Sequence, residues 1–166
     1  MSATIDKAWD LLEELTDPEI PVVTLRELGI LRDIRQSPSG LEVVITPTYS
    51  GCPAMGQIED DVRQTLESAG LQATVITQLS PPWTTDWITE DAKQKLRAYG
   101  IAPPHTTDSS VNTIHLSRNK PSSQPIACPH CCSNRTSVIS QFGSTSCKAL
   151  YKCLDCREPF DYFKPY

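Results

Sequence analysis

Hydrophobic residues recur at helical spacing in two stretches of this 166-residue chain, residues 4–15 and 55–69. Such spacing gathers apolar side chains on one face, so the pattern predicts two amphipathic helices. Gly70 directly follows the second stretch, where a glycine commonly ends a helix. A third helix is predicted over residues 88–99, which begin with acidic side chains and are followed by Gly100.

Strand-like runs lie between the predicted helices. Residues 30–36 and 41–49 are rich in aliphatic side chains and are joined by the turn-forming sequence "SPSG", which predicts a β-hairpin. In the stretch 71–79, every second residue would lie on the same side of an extended chain and form an apolar face, as in a half-buried strand. The predicted order is α-β-β-α-β-α, a small layered α/β (α+β) domain that covers residues 1–103.

The composition changes after this domain. Residues 104–126 are rich in proline, serine and threonine, which predicts a linker because such a segment buries little apolar surface. Within it, only "VNTIHL" has the pattern of a short strand. Residues 127–166 form a separate cysteine-containing segment.

Two Cys-x-x-Cys pairs in this last segment have the spacing of a zinc ribbon: Cys128 with Cys131, and Cys153 with Cys156. Zn²⁺ prefers four ligands in a tetrahedron, and each pair supplies two thiolates. The sequence between the pairs alternates and turns at "GSTS", so it predicts a hairpin that brings them together. We therefore expect a structural Cys₄ zinc site that stabilises a small fold. Rubredoxin-like iron and a redox dithiol are the alternatives.

Three cysteines lie outside this set, and the sequence gives Cys132 and Cys147 no defined role. The third, Cys52, stands in "SGCPAMGQIEDDV", just before the second helix. The helix dipole and free N–H groups at that position favour a thiolate, so the sequence predicts a lowered pKa for Cys52. The alternative is a small buried hydrophobic residue. Since no histidine lies near it in sequence, Cys–His catalysis is disfavoured, and we assign no catalytic residue.

Two carboxylates flank a proline in "LTDPEIPVV", which follows the first helix. One interpretation of Asp17 and Glu19 is a turn that stops this helix. The other is an acidic pair held near Cys52.

The net charge of the chain is −5. An acidic chain gains nothing from the release of phosphate counterions, so nucleic-acid binding by the whole chain is disfavoured. Residues 125–166, however, carry five basic and three acidic side chains, a net charge of +2. The chain has no apolar run long enough to cross a membrane and no secretory leader, so we expect a cytoplasmic location and no membrane partner.

The motifs together resemble a known family. "DPEIPV", "TPTYSGCPAMGQIEDDV" and "SPPWTTDWIT" resemble the domain shared by SufT-like iron–sulfur assembly factors and the PaaD proteins of bacterial phenylacetate degradation. The segment "FGSTSCKALYKCLDCREPFDYFK" resembles the zinc ribbon of PaaD proteins. The resemblance implies that Cys52 is the reactive cysteine, that Asp17 and Glu19 are the acidic pair, and that Thr46 and Thr48 lie on the strand leading to it.

The resemblance also implies a function. PaaD proteins accompany the multicomponent phenylacetyl-CoA epoxidase, which converts the aromatic ring of its substrate to a 1,2-epoxide. The expected role is that of a non-catalytic accessory protein. It would mature the di-iron oxygenase or the iron–sulfur flavin reductase by delivering iron or a cluster through Cys52, and a homodimer would pair two such thiols. The alternatives are a docking subunit of the oxygenase complex and a nucleic-acid-binding zinc ribbon.

Overall fold

The computed structural model describes residues 2–105 and 125–165, which cluster into two compact units that divide between Tyr99 and Gly100. The sequence placed the end of the first domain at residue 103. The division falls slightly earlier because Ile101 and Ala102 pair with a strand of the second unit. Most of the predicted linker, including "VNTIHL", lies outside the described residues.

The first unit has the predicted order of helices and strands, which confirms the α-β-β-α-β-α prediction. Its elements are α1 (Ser2–Glu13), β1 (Leu31–Ser37), β2 (Gly40–Ile45), α2 (Met55–Ser68), β3 (Ala73–Thr77), a 3₁₀ turn (Thr85–Trp87) and α3 (Glu90–Tyr99). Backbone φ is positive at Gly70, just beyond the end of α2, and at Gly100, directly after α3. Both glycines therefore lie where the sequence predicted that they end a helix.

The three strands of the first unit form one sheet in the order β1-β2-β3. β1 and β2 are antiparallel, from Leu31 opposite Ile45 to Ser37 opposite Gly40, so the predicted hairpin is confirmed. β2 and β3 are parallel and are connected through α2. Because β2 is the central strand, four of its six residues are buried.

The core of the first unit lies between this sheet and its helices. Ala8 and Leu12 of α1 and Ile58, Val62 and Leu66 of α2 are buried at the helical spacing seen in the sequence. α1 contacts both α2 and β1, and α2 contacts β3. The apolar stripes of the two helices thus account for most of their packing.

In the described part of the second unit, the strands form a four-stranded sheet in the order β4-β7-β6-β5. Its strands are β4 (Ile101–Ala102), β5 (Thr136–Ser140), β6 (Lys148–Cys153) and β7 (Pro159–Phe163). β5, β6 and β7 are antiparallel neighbours, so the hairpin predicted between the cysteine pairs is present. β4 runs parallel to β7. In the part of the chain that is described, no helix is both long and apolar enough to span a membrane.

Candidate metal centre and thiol site

Four sulfur atoms of the second unit converge, those of Cys128, Cys131, Cys153 and Cys156, all within 4.8 Å of one another. Two of the separations are 3.8 Å, from Cys128 Sγ to Cys156 Sγ, and 3.5 Å, from Cys131 Sγ to Cys153 Sγ. A tetrahedral zinc–thiolate centre with Zn–S bonds of about 2.3 Å places neighbouring sulfurs about 3.8 Å apart. The donor atoms and their spacing therefore fit a tetrahedral metal ion such as Zn²⁺.

The two cysteine pairs sit in backbone turns of the same design. The N–H of Cys128 donates to the carbonyl of Ser133 (2.9 Å), and the N–H of Cys153 donates to the carbonyl of Glu158 (3.0 Å), each five residues further on. The residue after each pair has a left-handed backbone, with φ of 60° at Cys132 and 67° at Arg157. Two equivalent turns thus present two sulfurs each to a common centre.

The equivalence of the two turns shows which position Cys132 occupies. It occupies the same backbone position as Arg157 in the other turn, its side chain is exposed, and its sulfur is not part of the four-sulfur group. Cys147 is also separate, because it is buried and its sulfur lies 3.0 Å from the hydroxyl of Thr145. The spacing of the two pairs was sufficient to identify the four converging cysteines.

Backbone hydrogen bonds tune the thiols of this centre. Burial raises the pKa of Cys153, but N–H groups of Cys156 and Asp155 favour its thiolate and bring the pKa down to about 6. The N–H of Glu158 similarly favours the Cys156 thiolate, yet burial and the three neighbouring thiols raise the pKa of Cys156 to about 12. Four thiolates at this distance repel one another, and a bound dication offsets that repulsion.

Polar contacts tie the two turns together. Arg135 Nη1 lies 2.6 Å from Asp155 Oδ1, and the hydroxyl of Ser133 donates to the other oxygen of the same carboxylate. The N–H of Leu154 donates to the carbonyl of Arg135 at 2.8 Å. Ser133 and Arg135, which follow the first cysteine pair, thus bind Leu154 and Asp155, which lie between the two cysteines of the second pair. The arrangement of the sulfurs therefore does not depend on the ion alone.

Cys52, in the first unit, lies in the turn between β2 and α2. Its N–H donates to the carbonyl of Tyr49 at 3.2 Å, and its carbonyl accepts from the N–H of Met55 at 3.3 Å. The side chain is half-buried, so it is neither sealed in the core nor fully solvated. Its position before α2 is the one that the sequence predicted.

The pKa of Cys52 is raised, and the prediction of a lowered pKa was wrong. Burial has the largest effect and raises the pKa, while the N–H of Ala54 and the hydroxyl of Thr48 act in the opposite direction. The negative charges of Glu19 and Asp17 raise it further. The helix-terminal N–H group is present as expected, but desolvation and two carboxylates outweigh it.

The acidic loop has a structural role as well as this electrostatic one. Asp17 is buried, and its Oδ1 accepts hydrogen bonds from the N–H groups of Glu19 and Ile20, both at 2.9 Å. These bonds fix the turn that follows α1, whereas the side chain of Glu19 remains exposed. One carboxylate therefore organises the loop, and both bring negative charge close to the thiol of Cys52.

A cavity of about 290 Å³ adjoins the turn that carries Cys52, and it is lined by Thr46, Pro47, Thr48, Tyr49, Ser50, Leu79, Pro82 and Trp83. Thr46 and Thr48 were expected on a strand, but β2 ends at Ile45, and both lie in the loop after it. Thr48 is the hydroxyl that contacts Cys52. Among the described residues, Thr46 Oγ1 is buried without a hydrogen-bond partner.

One wall of the cavity was missed in the sequence. Trp83 is buried and donates from Nε1 to the carbonyl of Leu28 at 2.9 Å, which anchors the segment after β3. Leu79, in the same segment, is 60% exposed. The motif "SPPWTTDWIT" could have indicated this wall of the cavity. Its two prolines end the strand, so the tryptophan that follows them belongs to a separate segment after β3.

A small α/β domain joined in sequence to a four-sulfur β-ribbon defines the class of protein, and the family comparisons identify both parts. Residues 5–76 match the family described as iron-sulfur cluster assembly protein. Residues 112–164 match the PaaD zinc beta ribbon domain.

Individual relatives make the assignment specific. The chain is 45% identical over 161 residues to an Escherichia coli (strain K12) protein named as a putative component of 1,2-phenylacetyl-CoA epoxidase, and the match covers 96% of this chain and 92% of that one. The chain belongs to the PaaD family of phenylacetyl-CoA epoxidase subunits.

Two further proteins match a little over half of the chain. An "Fe-S protein maturation auxiliary factor" of Porphyromonas gingivalis (strain ATCC BAA-308 / W83) is 34% identical over 89 residues, covering 52% of this chain and 84% of its own. A crystal structure of a domain of unknown function, DUF59, from Bacillus anthracis is 29% identical with a TM-score of 0.52. That match covers 57% of this chain and 92% of the other, which supports the fold of the first unit.

Proposed function

We propose that this chain is an accessory subunit of phenylacetyl-CoA epoxidase that passes iron or an iron–sulfur cluster to a partner subunit through Cys52. The observation that carries the proposal is a half-buried thiol, which is hydrogen-bonded to the Thr48 hydroxyl and lies near the negative charges of Asp17 and Glu19. The similarity to the putative epoxidase component of Escherichia coli supports the accessory role, and the match of residues 5–76 to an iron–sulfur assembly family is consistent with the handling of iron or a cluster.

The chemistry of this group suits a temporary ligand. A thiolate is a soft donor that binds iron and clusters, and carboxylate oxygens are additional donors. A single thiol with few supporting ligands binds weakly enough to release its cargo. Because the pKa of Cys52 is raised, the thiol is protonated at neutral pH, and binding of the metal releases that proton.

The four-sulfur ribbon has a different role in this proposal. Zn²⁺ bound by Cys128, Cys131, Cys153 and Cys156 would have a filled coordination shell and no open position for chemistry. When bound, it supplies folding free energy to a unit with a small apolar core. The ribbon is thus a permanent metal site, and Cys52 is the site of exchange.

The clients are the oxygenase subunit with its di-iron centre or the reductase with its iron–sulfur cluster. A homodimer would bring two copies of Cys52 together and offer a cluster two protein thiolates. Both statements extend the similarity to the Escherichia coli epoxidase component and are part of the proposal.

The test is to co-express the partner subunits with the Cys52→Ser variant and to measure their iron and acid-labile sulfide after purification. We expect the content of one partner to fall several-fold, because serine is a poor ligand for iron. Cys132→Ser is the matched control, since Cys132 is an exposed thiol outside both sites. Fully loaded partners alongside Cys52→Ser would overturn the role of this thiol.

A further inference from the structure

One edge of the ribbon sheet carries exposed apolar side chains. Among the described strands β5 lies at the end of the sheet order, and the set that we call the β5 edge consists of Val138 (46% exposed), Ile139 (55%) and, just after the strand, Phe142 (65%). Apolar edges of this kind are templates for another strand.

The hydrogen-bond ladder determines which backbone groups face outward. The bond from Leu154 N–H to Arg135 O sets the alternation, and Ser137 opposite Lys152 is the next pair bonded to β6. Val138, opposite Tyr151, therefore directs its N–H and C=O away from β6. A second strand could form hydrogen bonds at this position without disturbing the sheet.

Phe142 is exposed because its turn is held in place. Ser140 Oγ accepts from the N–H of Phe142 at 3.2 Å and donates to its carbonyl at 2.8 Å. Lys164 Nζ lies 4.5 Å from the centre of the phenyl ring and donates to the carbonyl of Gln141 at 3.2 Å. A rigidly presented aromatic ring is the usual form of a binding anchor.

The charge around the β5 edge is positive. Lys164 lies over Phe142, Lys152 is exposed opposite Ser137, and residues 125–166 have a net charge of +2. A second copy of the ribbon would bring like charge to this edge. An acidic partner segment would bring opposite charge, which aids recognition and association.

We propose that the β5 edge binds an extended segment of a partner subunit by strand addition, and that this segment alternates apolar with acidic residues. The main chain of the segment would pair with Val138, and its apolar side chains would contact the exposed side chains of the β5 edge, Phe142 among them. The inference rests on the proposed function only for the identity of the partner, an epoxidase subunit. It makes the ribbon the docking part of the molecule.

The test uses the zinc-loaded full chain and two labelled heptapeptides, Glu-Val-Glu-Val-Glu-Val-Glu and its counterpart with lysine in place of glutamate. Fluorescence anisotropy should give at least tenfold tighter binding of the glutamate peptide. Val138→Pro removes the outward N–H, and proline is tolerated where that N–H faces solvent, so it should weaken binding at least tenfold. Val138→Ala keeps the N–H and should weaken binding much less.

Phe142→Ala is a second variant that leaves the ladder intact, and it should weaken binding several-fold. Leu79→Ala is its control, because Leu79 is a similarly exposed apolar residue in the other unit. Zinc content of each variant checks that the ribbon is folded. If Val138→Pro loses zinc, the decision rests on Phe142→Ala.

Three results would overturn the proposal. They are equal binding of the two peptides, insensitivity to both Val138→Pro and Phe142→Ala, and a concentration-dependent dimer that Val138→Pro abolishes while peptide binding is absent. The last result would mean that a second copy occupies the edge. Cys52→Ser should leave peptide binding unchanged, so failure here is separable from failure of metal transfer.

Discussion

The same functional group, a cysteine thiol, is placed in opposite ways in the two units. In the ribbon, four sulfurs lie within 4.8 Å of one another on two equivalent backbone turns. In the first unit, Cys52 is half-buried, and its burial and two nearby carboxylates raise its pKa. The first arrangement fits all four positions around a metal ion, whereas the second, in the function that we propose, offers a single sulfur and leaves the remaining positions to other ligands.

The number of protein ligands determines how long a metal ion stays bound. A closed tetrahedral site retains its ion because every bond must break before the ion leaves. A site with one thiolate releases its cargo when a partner offers more ligands. Burial, together with the charges of Glu19 and Asp17, raises the pKa of Cys52, so the thiol keeps its proton at neutral pH.

We expect the greatest loss of structure when one of the four cysteine ligands is replaced. Cys153→Ser removes a buried ligand, and structural zinc supplies about 10–16 kcal/mol in zinc-finger peptides, so we expect loss of zinc and of the ribbon fold. Zinc analysis and the dispersion of amide NMR signals measure both. Cys132→Ser should retain the metal, because it replaces an exposed cysteine outside the four-sulfur group.

The first unit supplies the contrasting readout for the same variant. All three tryptophans of the chain lie in it: Trp9, Trp83 and Trp87. Its core is a sheet packed against helices rather than a metal centre, so the tryptophan-monitored urea transition of Cys153→Ser should match that of the parent chain. A large shift of this transition would contradict the comparison.

A smaller effect is expected from backbone strain in the first unit. Gly40 begins β2 with φ of +133°, and a Cβ there would lie 2.6 Å from the carbonyl oxygen of Gln72. Gly40→Ala should lower the free energy of unfolding by about 1–3 kcal/mol for the backbone conformation alone, and the contact with Gln72 adds to this cost. The tryptophan-monitored transition measures the total. The zinc content should not change, since Gly40 belongs to the metal-independent unit.

Gly70→Ala is the matched control for this variant. Gly70 also has a positive φ, +76°, but no atom lies within 4 Å of the added Cβ. It should therefore cost only the left-handed conformation, about 1–2 kcal/mol, and less than Gly40→Ala. Equal costs for the two variants would mean that the contact with Gln72 is relieved by a local shift.

Features governed by local spacing could be predicted from the sequence. The four ribbon cysteines follow from a rule about two turns and one ion, and α2 follows from an apolar stripe that ends at glycine. Thr24 and Glu27 have the three-residue spacing of a capping box, which is equally local. Thr24 N–H donates to Glu27 Oε2 at 2.9 Å, and Glu27 N–H donates to Thr24 Oγ1 at 3.2 Å.

Features that depend on distant residues could not be predicted in this way. The two-residue strand β4 exists because Ile101 and Ala102 meet Asp161 and Tyr162, and no pattern in two residues announces such a pairing. The pKa of Cys52 likewise depends on burial and on a loop more than thirty positions earlier in the chain. Local reasoning included the helix terminus and omitted burial, which has the largest effect, and the charges of the distant loop.

The smallest predicted effect isolates one of those non-local contributions. The carboxylate of Glu19 raises the pKa of Cys52 by repelling its thiolate. Glu19→Gln removes this repulsion, so the pKa should fall and the thiolate fraction at neutral pH should rise. We expect alkylation of Cys52 by iodoacetamide at pH 7 to accelerate roughly two- to fivefold, the range expected for one solvent-exposed charge interaction.

Mass spectrometry of the peptide that contains Cys52, in a Cys132→Ser background, would follow this alkylation across pH. The whole rate profile should move to lower pH in Glu19→Gln, since loss of a nearby negative charge makes the thiol more acidic. Glu67→Gln, at the far end of α2, should leave the profile in place. If Glu19→Gln left the profile unmoved or shifted it to higher pH, burial alone would set the resting state of Cys52. The acidic loop would then serve only to shape the turn after α1.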